Sequence, residues 1–280
     1  MLRSSFVSAL TCLPTAGLFA LILSTAETAA GTVPLAPHHA IYKLSLSKAV
    51  GEKSPAAASG VISYDFSGSA CEGYAMVFRQ ITELEPAEGD SRVSDMRSAT
   101  FEDGDAAQFR FDVRTTYNRA GEDDLDGRAS KGKDGSVAVD LQKPTPDKVD
   151  LKASALFPTE HLRRVLGTAE AGGKILAASV YDGSDTGKKI YNTLSVIGAP
   201  ITTPPSEQAA QIDPLKTMRR WPVSISYFEE GQGDAQPNYV LSFELYENGV
   251  SRALKLNYGS FTLAGEMVEL KLNAASPCDK

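Results

Sequence analysis

Residues Val180 to Gly198 read VYDGSDTGKKIYNTLSVIG, and this pattern predicts a hairpin within a β-rich fold. Apolar and aromatic residues flank a polar centre that contains two glycines, which is typical of two strands joined by a turn. We predict strands over residues 174–181 and 189–197. The four residues from Asp182 to Asp185 are of the types that tight turns prefer, so we expect a tight turn between the strands.

The rest of the chain largely repeats the same two-residue period. Tyr42, Leu44 and Leu46 alternate with polar residues, and similar alternation recurs as far as residues 261–272. Segments of this kind form strands with one buried and one solvated face, as in antiparallel sheets. About a dozen such strands must curl or close to protect their edges, so a barrel, a rolled sheet and a two-sheet arrangement all remain open.

One segment departs from this period and predicts the main helix. Pro144 and Pro146 break the preceding alternation, and Pro158 then opens a segment whose apolar residues recur at helical spacing. Leu162, Val165 and Leu166 fall on one face of such a helix. Because glycine is favoured just beyond a helix, we expect the helix to end near Gly167, with Gly172 as the alternative.

The first thirty residues have the layout of a secretory signal peptide. Arg3 precedes a mostly apolar run from residue 6 to residue 23, and small residues follow it. Cleavage after Ala26 and cleavage after Ala30 both suit those small residues. We therefore expect residues 1–30 to be removed, residues 31–280 to form a single β-rich periplasmic domain, and no membrane span to remain after cleavage.

Charge and cysteine content narrow the class of protein further. The chain carries 28 Lys and Arg against 35 Asp and Glu, a net charge of −7, so it lacks the basic surface that nucleic acid requires. Two cysteines, Cys71 and Cys278, remain after the predicted cleavage. An even number in an exported chain favours one disulfide bond, whereas unpaired thiols or a metal-binding pair suit such a chain less well.

Three features together resemble the EipB-like family of cell envelope integrity proteins, which are secreted to the periplasm of alphaproteobacteria. They are the FPTEH sequence at Phe157 to His161, one cysteine near each end of the mature chain, and the central turn. The turn residues that carry the resemblance are Tyr181, Asp182, Gly183, Ser184, Asp185 and Gly187. The resemblance implies a spiral-like, curled sheet with a helix on its concave side, and the same bridge between Cys71 and Cys278.

The sequence contains no recognisable catalytic, metal-binding or cofactor-binding motif. Asp185-Thr186-Gly187 matches the aspartic protease triplet, but it stands alone and lacks the apolar strand that normally precedes it. An alternative hypothesis is a hydrolase that acts on an envelope polymer, with Asp182, Asp185 and His161 as candidate acid and base. The adjacent His38 and His39 would point in opposite directions in a strand, which does not favour a metal site.

Five residues could form a site for an anionic headgroup or a carboxylate, since arginine binds such groups through two parallel hydrogen bonds. These candidate binding residues are Arg163, Arg164, Arg219, Arg220 and Trp221. The alternative interpretation is an exposed charged face with Trp221 buried in the core.

The main hypothesis is a non-enzymatic periplasmic protein that supports envelope integrity as a binding or scaffolding module. A concave apolar cavity under a curled sheet would suit a lipid or an acylated protein, and another periplasmic envelope protein could also be the partner. A third hypothesis is protein interaction through an exposed β edge. The sequence leaves the oligomeric state open.

Overall fold

The computed structural model describes residues 34–276, except residue 53, residues 119–120 and residues 230–235. The predicted signal peptide and Cys278 lie outside the described residues, so cleavage and the Cys71–Cys278 bridge stay predictions. Cys71 itself lies exposed in the turn between the second and third strands.

Fourteen strands and one α-helix make up the regular structure of the described chain, with a short 3₁₀ turn at Gln208–Ala210. The first eight strands are β1 (His38–Ala49), β2 (Ala57–Ser69), β3 (Gly73–Glu85), β4 (Arg92–Glu102), β5 (Gln108–Tyr117), β6 (Glu122–Lys131), β7 (Ser136–Lys143) and β8 (Asp147–Ser154). Helix α1 (Pro158–Glu170) follows them. The remaining strands are β9 (Ile175–Val180), β10 (Tyr191–Ile197), β11 (Arg220–Glu229), β12 (Tyr239–Tyr246), β13 (Ser251–Asn257) and β14 (Phe261–Leu272).

All fourteen strands belong to one antiparallel sheet, whose order is β8-β7-β6-β5-β4-β3-β2-β1-β14-β13-β12-β11-β10-β9. The chain thus begins in the middle of the sheet and moves strand by strand to one edge. Helix α1 then crosses to the opposite edge, and the chain returns to the middle, where β14 pairs with β1 from His38↔Leu272 to Ala49↔Phe261. The prediction of a mainly β, curled or barrel-like antiparallel sheet with one helix is confirmed.

The two edges of the sheet meet at Leu156, just beyond β8. Its backbone N–H donates to the carbonyl of Ser179 at 2.8 Å, and its carbonyl accepts from the N–H of Tyr181 at 2.9 Å. Leu156 thereby forms a parallel bridge with Val180 of β9. The sheet is therefore nearly closed, because one short contact joins its outermost strands.

Helix α1 does not end near Gly167, which lies within it. The helix continues because Ala169, one turn beyond Val165, is buried in the same core cluster as Val165 and Leu166. That burial offsets the roughly 1 kcal/mol by which glycine disfavours a helix interior. The helix ends instead at Glu170, and the chain turns at the alternative position, Gly172. The φ of Gly172 is 78°, in the left-handed region that favours glycine.

The connection between β9 and β10 is not the tight turn predicted from sequence. It comprises residues 181–190 and folds inward instead of turning back directly. The Tyr181 side chain is fully buried, and its hydroxyl donates to the carbonyl of Gly187 at 2.9 Å. A Cβ at Gly183 would lie 2.6 Å from the ring of Phe111 on β5, so only glycine allows the connection to pack this closely.

Three apolar clusters form the core. The first surrounds α1 and includes Trp221 and Leu245, the second lies between β1, β2 and β12 to β14, and the third joins β5 to β7 with Phe157 and Tyr181. The two sequence features predicted to matter most, the FPTEH segment and the turn after β9, therefore meet in the third cluster. Phe157 and Tyr181 rings lie 6.3 Å apart there.

Candidate functional site

The inner face of the sheet encloses a cavity of about 770 Å³. Alternate residues of each strand point to the same face, so the two-residue period of the sequence supplies the lining. The apolar and aromatic lining residues include Tyr42, Ile62, Tyr64, Phe78, Met96, Leu162, Val180, Ile225, Tyr227, Tyr239, Leu241, Phe243, Leu254 and Leu256. This is the concave, mostly apolar form that small-molecule sites usually have.

The cavity reaches the surface beside two tyrosines. Tyr117, at the end of β5, and Tyr258, just after β13, both line the cavity while remaining 50% and 38% exposed. Gln80 of β3 donates from Nε2 to the Tyr258 hydroxyl at 3.3 Å and to Thr82 Oγ1 at 3.0 Å. The mouth is therefore lined by side chains that combine an aromatic body with a polar tip.

The first turns of α1 contribute Pro158, His161 and Leu162 to the cavity wall. The helix has no side-chain cap of its own, since Phe157 precedes its first residue. Glu102 of β4 provides the cap: its Oε2 accepts from the N–H of Thr159 at 2.7 Å, and its Oε1 accepts from the N–H of Glu160 at 2.9 Å. These bonds hold the start of the helix against β4.

Burial lowers the pKa of both histidines of the cavity wall, which favours their uncharged forms. Burial lowers the pKa of His161 to about 4, although nearby Glu160 acts in the opposite direction. Its Nε2 lies 3.4 Å from the hydroxyl of Thr193, which donates to the carbonyl of Ala178. Burial also lowers the pKa of His38, whose Nδ1 lies 2.8 Å from the carbonyl of Ala36.

The pKa values of the acidic groups of the wall are raised, which also favours the uncharged forms. Burial raises the pKa of Asp182, whose Oδ1 accepts from the N–H of Ser184 at 3.0 Å. Burial likewise raises the pKa of Tyr42, Tyr64 and Tyr227 far above that of a free phenol. The lining consequently favours ligands that bring no unpaired charge into the cavity.

The structure brings together only two of the three residues considered for hydrolysis. His161 and Asp182 both line the cavity, whereas Asp185 forms a surface ion pair of 2.5 Å with Lys189. Within the described residues each of the three has a partner of its own: Asp182 accepts from the Ser184 N–H, His161 contacts the Thr193 hydroxyl, and Asp185 pairs with Lys189. The lone Asp185-Thr186-Gly187 triplet is thus part of the connection that packs on β5 and β7.

Each of the five candidate anion-binding residues already makes a contact within the molecule. The Arg163 guanidinium lies 5.0 Å from the centre of the Tyr74 ring, and Arg164 pairs with Glu160 at 3.2 Å. Arg219 lies over the Trp221 ring at 4.7 Å. Trp221 is only 2% exposed and belongs to the core cluster around α1, as the alternative interpretation of these residues proposed.

Arg220 is buried and already paired. It is 3% exposed, and it donates from Nε to Glu244 at 2.5 Å and from Nη1 to the carbonyl of Thr203 at 2.7 Å. Glu244 is also bonded to Arg252, which reaches Glu207 at 2.5 Å. These four side chains form a buried ionic network that attaches the 198–219 connection to the sheet, so Arg220 is not available to an external anion.

Sequence reasoning missed the residues that form the cavity. Tyr42, Tyr64, Tyr227 and Tyr239 occupied inward positions of recognised strands, but strand order decides which inward residues share a cavity. Glu102 gave no signal at all, because its capping role depends on a helix far along the chain. Among the described residues, no group of three or more His, Cys, Asp or Glu is placed to hold a metal ion, and no helix has the length and apolar character needed to cross a bilayer.

Comparison with known proteins agrees with this architecture. A Brucella abortus protein named cell envelope integrity protein EipB is 37% identical over 254 residues, which is 88% of this chain and 88% of that protein. A crystal structure of a β-barrel-like protein of a domain of unknown function, also from Brucella abortus, matches with a TM-score of 0.80 and 35% identity, covering 86% of this chain and 99% of the other. The family model described as EipB-like matches residues 29–274, and this chain therefore belongs to the EipB-like family.

Proposed function

We propose that this protein supports cell envelope integrity from the periplasm by binding an apolar ligand, the acyl chain of a lipid or of an acylated protein, in the cavity of the sheet. One observation carries the proposal. The cavity of about 770 Å³ has an apolar and aromatic lining, and burial shifts its histidines and Asp182 toward their uncharged forms. The envelope role is supported by the name of the Brucella abortus relative.

The size and wall of the cavity suit such a ligand. Ligand sites in proteins typically enclose about 300–1,000 Å³, and each methylene group that leaves water contributes about 0.8 kcal/mol. An ionised headgroup would lose hydration without gaining a partner deep in this wall. We therefore infer that the acyl chain lies inside and that its polar end remains at the mouth, near Tyr117, Gln80 and Tyr258.

A binding role without catalysis accounts for Asp182 and His161 in the wall. Asp182 is bonded to the backbone of its own connection, and His161 contacts the hydroxyl of Thr193. Both contacts fix local structure. Asp185, the remaining candidate for acid and base chemistry, forms an ion pair with Lys189 at the surface.

The direct test is to identify what the purified protein contains. The protein is purified from its native compartment without detergent, extracted with organic solvent and examined by mass spectrometry. We expect a stoichiometric acylated compound, and we expect delipidated protein to bind a fluorescent fatty acid. Absence of both would overturn the proposal, as would hydrolysis of the compound by the purified protein.

A further inference from the structure

Strand β8 has an unpaired edge. It pairs on one side with β7, from Leu141↔Asp147 to Ser136↔Ser154, and it is the last strand of the sheet. In the part of the chain that the structure describes, no backbone hydrogen bond joins residues 147–154 to any other strand. Such an edge presents a row of donors and acceptors onto which another extended chain can add.

A groove of about 520 Å³ follows this edge. Residues 150–153 of β8 form one wall, and Lys188, Lys189, Ile190 and Glu229 form the other. Beyond β8 the chain joins β9 at Leu156, and at the other end Lys188 pairs with Asp147 at 2.6 Å. The groove therefore lies along the β8 edge between these two contacts.

The two walls determine what can occupy the groove. Strands in a sheet lie about 4.8 Å apart, so an extended chain that pairs with β8 would lie within the groove, between β8 and the second wall. The edge of a second copy would bring its own β7 behind its β8, where the second wall already stands. The groove therefore suits a single extended peptide and not the sheet of another copy of this chain.

The side chains of β8 indicate which residues a bound segment should carry. Val149, Leu151 and Ala153 face inward onto the third core cluster, while Asp150 and Lys152 are exposed on the outer face. Neither Asp150 nor Lys152 forms an ion pair with any described residue. By contrast, Lys189 on the opposite wall is already paired with Asp185 and Glu229.

We propose that the β8 groove binds one extended peptide segment of a partner protein, which pairs antiparallel with β8. Every ladder between two of the fourteen strands is antiparallel, the isolated bridge at Leu156 being the one parallel contact of the described sheet. Directly opposite residues of an antiparallel pair interact most strongly when their charges differ. The segment then carries an acidic residue opposite Lys152 and a basic residue opposite Asp150, with an apolar residue between them. In chain order its central pattern is acidic, apolar, basic.

Entry of the segment requires little rearrangement. Among the described residues, only the ion pair between Lys188 and Asp147 lies across the groove, and both side chains are 46% exposed. Exposed pairs of this kind contribute about 0–1 kcal/mol, so opening this one costs little. The site does not depend on the proposed acyl ligand, because β8 contributes no residue to the lining of the large cavity.

Two designed peptides test the proposal against the intact protein. The first reads threonine-valine-glutamate-valine-lysine-valine-threonine, and the second has its glutamate and lysine exchanged. We expect the first to bind the native protein about tenfold more tightly than the second, as measured by fluorescence anisotropy. Binding should also slow amide hydrogen exchange in residues 147–154, which binding elsewhere would not do.

A paired substitution gives the sharpest outcome. The variant Asp150→Lys with Lys152→Asp should reverse the preference between the two peptides, whereas Lys255→Asp on β13, an exposed residue on a distant strand, should leave it unchanged. Because both changed residues are exposed, the variant should retain the unfolding temperature of the native protein. Failure of both peptides to protect β8, or an unchanged preference in the swapped variant, would overturn the proposal.

Discussion

Glu102, the last residue of β4, accepts a hydrogen bond of 2.7 Å from the backbone N–H of Thr159 in the first turn of α1. A residue 57 positions earlier in the chain thus caps the helix whose first turns line the cavity. The contact places a carboxyl group in a buried site at the positive end of the helix. The position of the cavity wall and the ionisation of Glu102 are therefore linked.

The first prediction concerns pH. Burial raises the pKa of Glu102 from 4.5 to about 7, against the opposing effect of the hydrogen bonds from Thr159 and Glu160. Between these values the folded state holds more protons than the unfolded state, so the contribution of Glu102 to stability falls as pH rises. We expect a loss of about 3 kcal/mol between pH 4 and pH 8 from this group.

Urea unfolding at a series of pH values measures this contribution. Glu102→Gln cannot ionise and should flatten the dependence, whereas Glu85→Gln, at an exposed position at the end of β3, should not. The same slope in Glu102→Gln and in the native protein would contradict the assignment.

The second prediction concerns the connection after β9. Gly183 has a φ of 69°, and a Cβ there would lie 2.6 Å from the Phe111 ring, so Gly183→Ala should lower the free energy of unfolding by at least about 2 kcal/mol. Gly167→Ala is the matched control, because Gly167 lies within α1 with open space around it. That change should raise stability by about 0.5–1 kcal/mol, and thermal unfolding distinguishes the two directions.

The third prediction concerns the buried ionic network. Arg252 is 4% exposed and bonds both Glu207 and Glu244, so Arg252→Met leaves the buried Glu207 without its cationic partner and leaves Glu244 with Arg220 alone. Loss of one partner in such a network costs about 3–5 kcal/mol. Chemical denaturation should show this loss and a partial recovery when Glu207→Gln is added.

The exposed pair of Arg219 and Glu247, 3.3 Å apart, provides the comparison. Arg219→Met should cost less than about 1 kcal/mol, because solvent already screens that pair. Equal losses for the two substitutions would mean that the buried network is not what holds the 198–219 connection to the sheet.

The fourth prediction concerns the capacity of the cavity. Met96 lines the cavity on β4 and is only partly buried, so Met96→Trp should occupy space that an acyl chain would fill. Fluorescent fatty acid titration should show at least a tenfold weaker affinity, while Met96→Leu, which nearly conserves the side-chain volume, should bind as the native protein does. Unchanged affinity in Met96→Trp would place the ligand elsewhere.

The fifth prediction concerns the cysteines. If Cys71 and Cys278 form the predicted bridge, mass spectrometry without reduction should recover the two peptides joined. Closing so long a loop stabilises the folded chain by up to about 5 kcal/mol, so reduction should lower the melting temperature markedly. Recovery of the two thiols free from the exported protein would contradict both the bridge and the compartment inferred from it.

The class of fold followed from local sequence, but the extent of its elements depended on tertiary contacts. Alternation in residues such as Tyr42, Leu44 and Leu46 predicted the strands of an antiparallel sheet correctly. Strand β8 was missed, although Val149, Leu151 and Ala153 alternate clearly, because two prolines before it suggested that the strand pattern had ended. The second of them, Pro146, immediately precedes the strand and so does not interrupt its pairing.

The sequence predicted the type of site but not the set of residues that form it. A cavity under a curled sheet was expected, and the two-residue period identified inward residues such as Tyr64 and Tyr227. Their meeting in one cavity depends on the pairing of β1 with β14 and on the path of α1, which no local pattern encodes. The inward fold of residues 181–190 was likewise set by contact with Phe111, so its glycines suggested a turn without revealing its length.

The pairing of β1 with β14 determines when the two halves of the sheet can join during folding. Every other ladder in the sheet joins strands that follow one another along the chain, so β1 to β8 and β9 to β14 can each form from local contacts. The ladder that unites them joins His38 to Leu272 and needs nearly the whole polypeptide. A chain that stops before residue 261 leaves the edges of β1 and β13 both unpaired, and such edges promote association with other chains. Strand β14 covers both edges and joins the two half-sheets into one sheet.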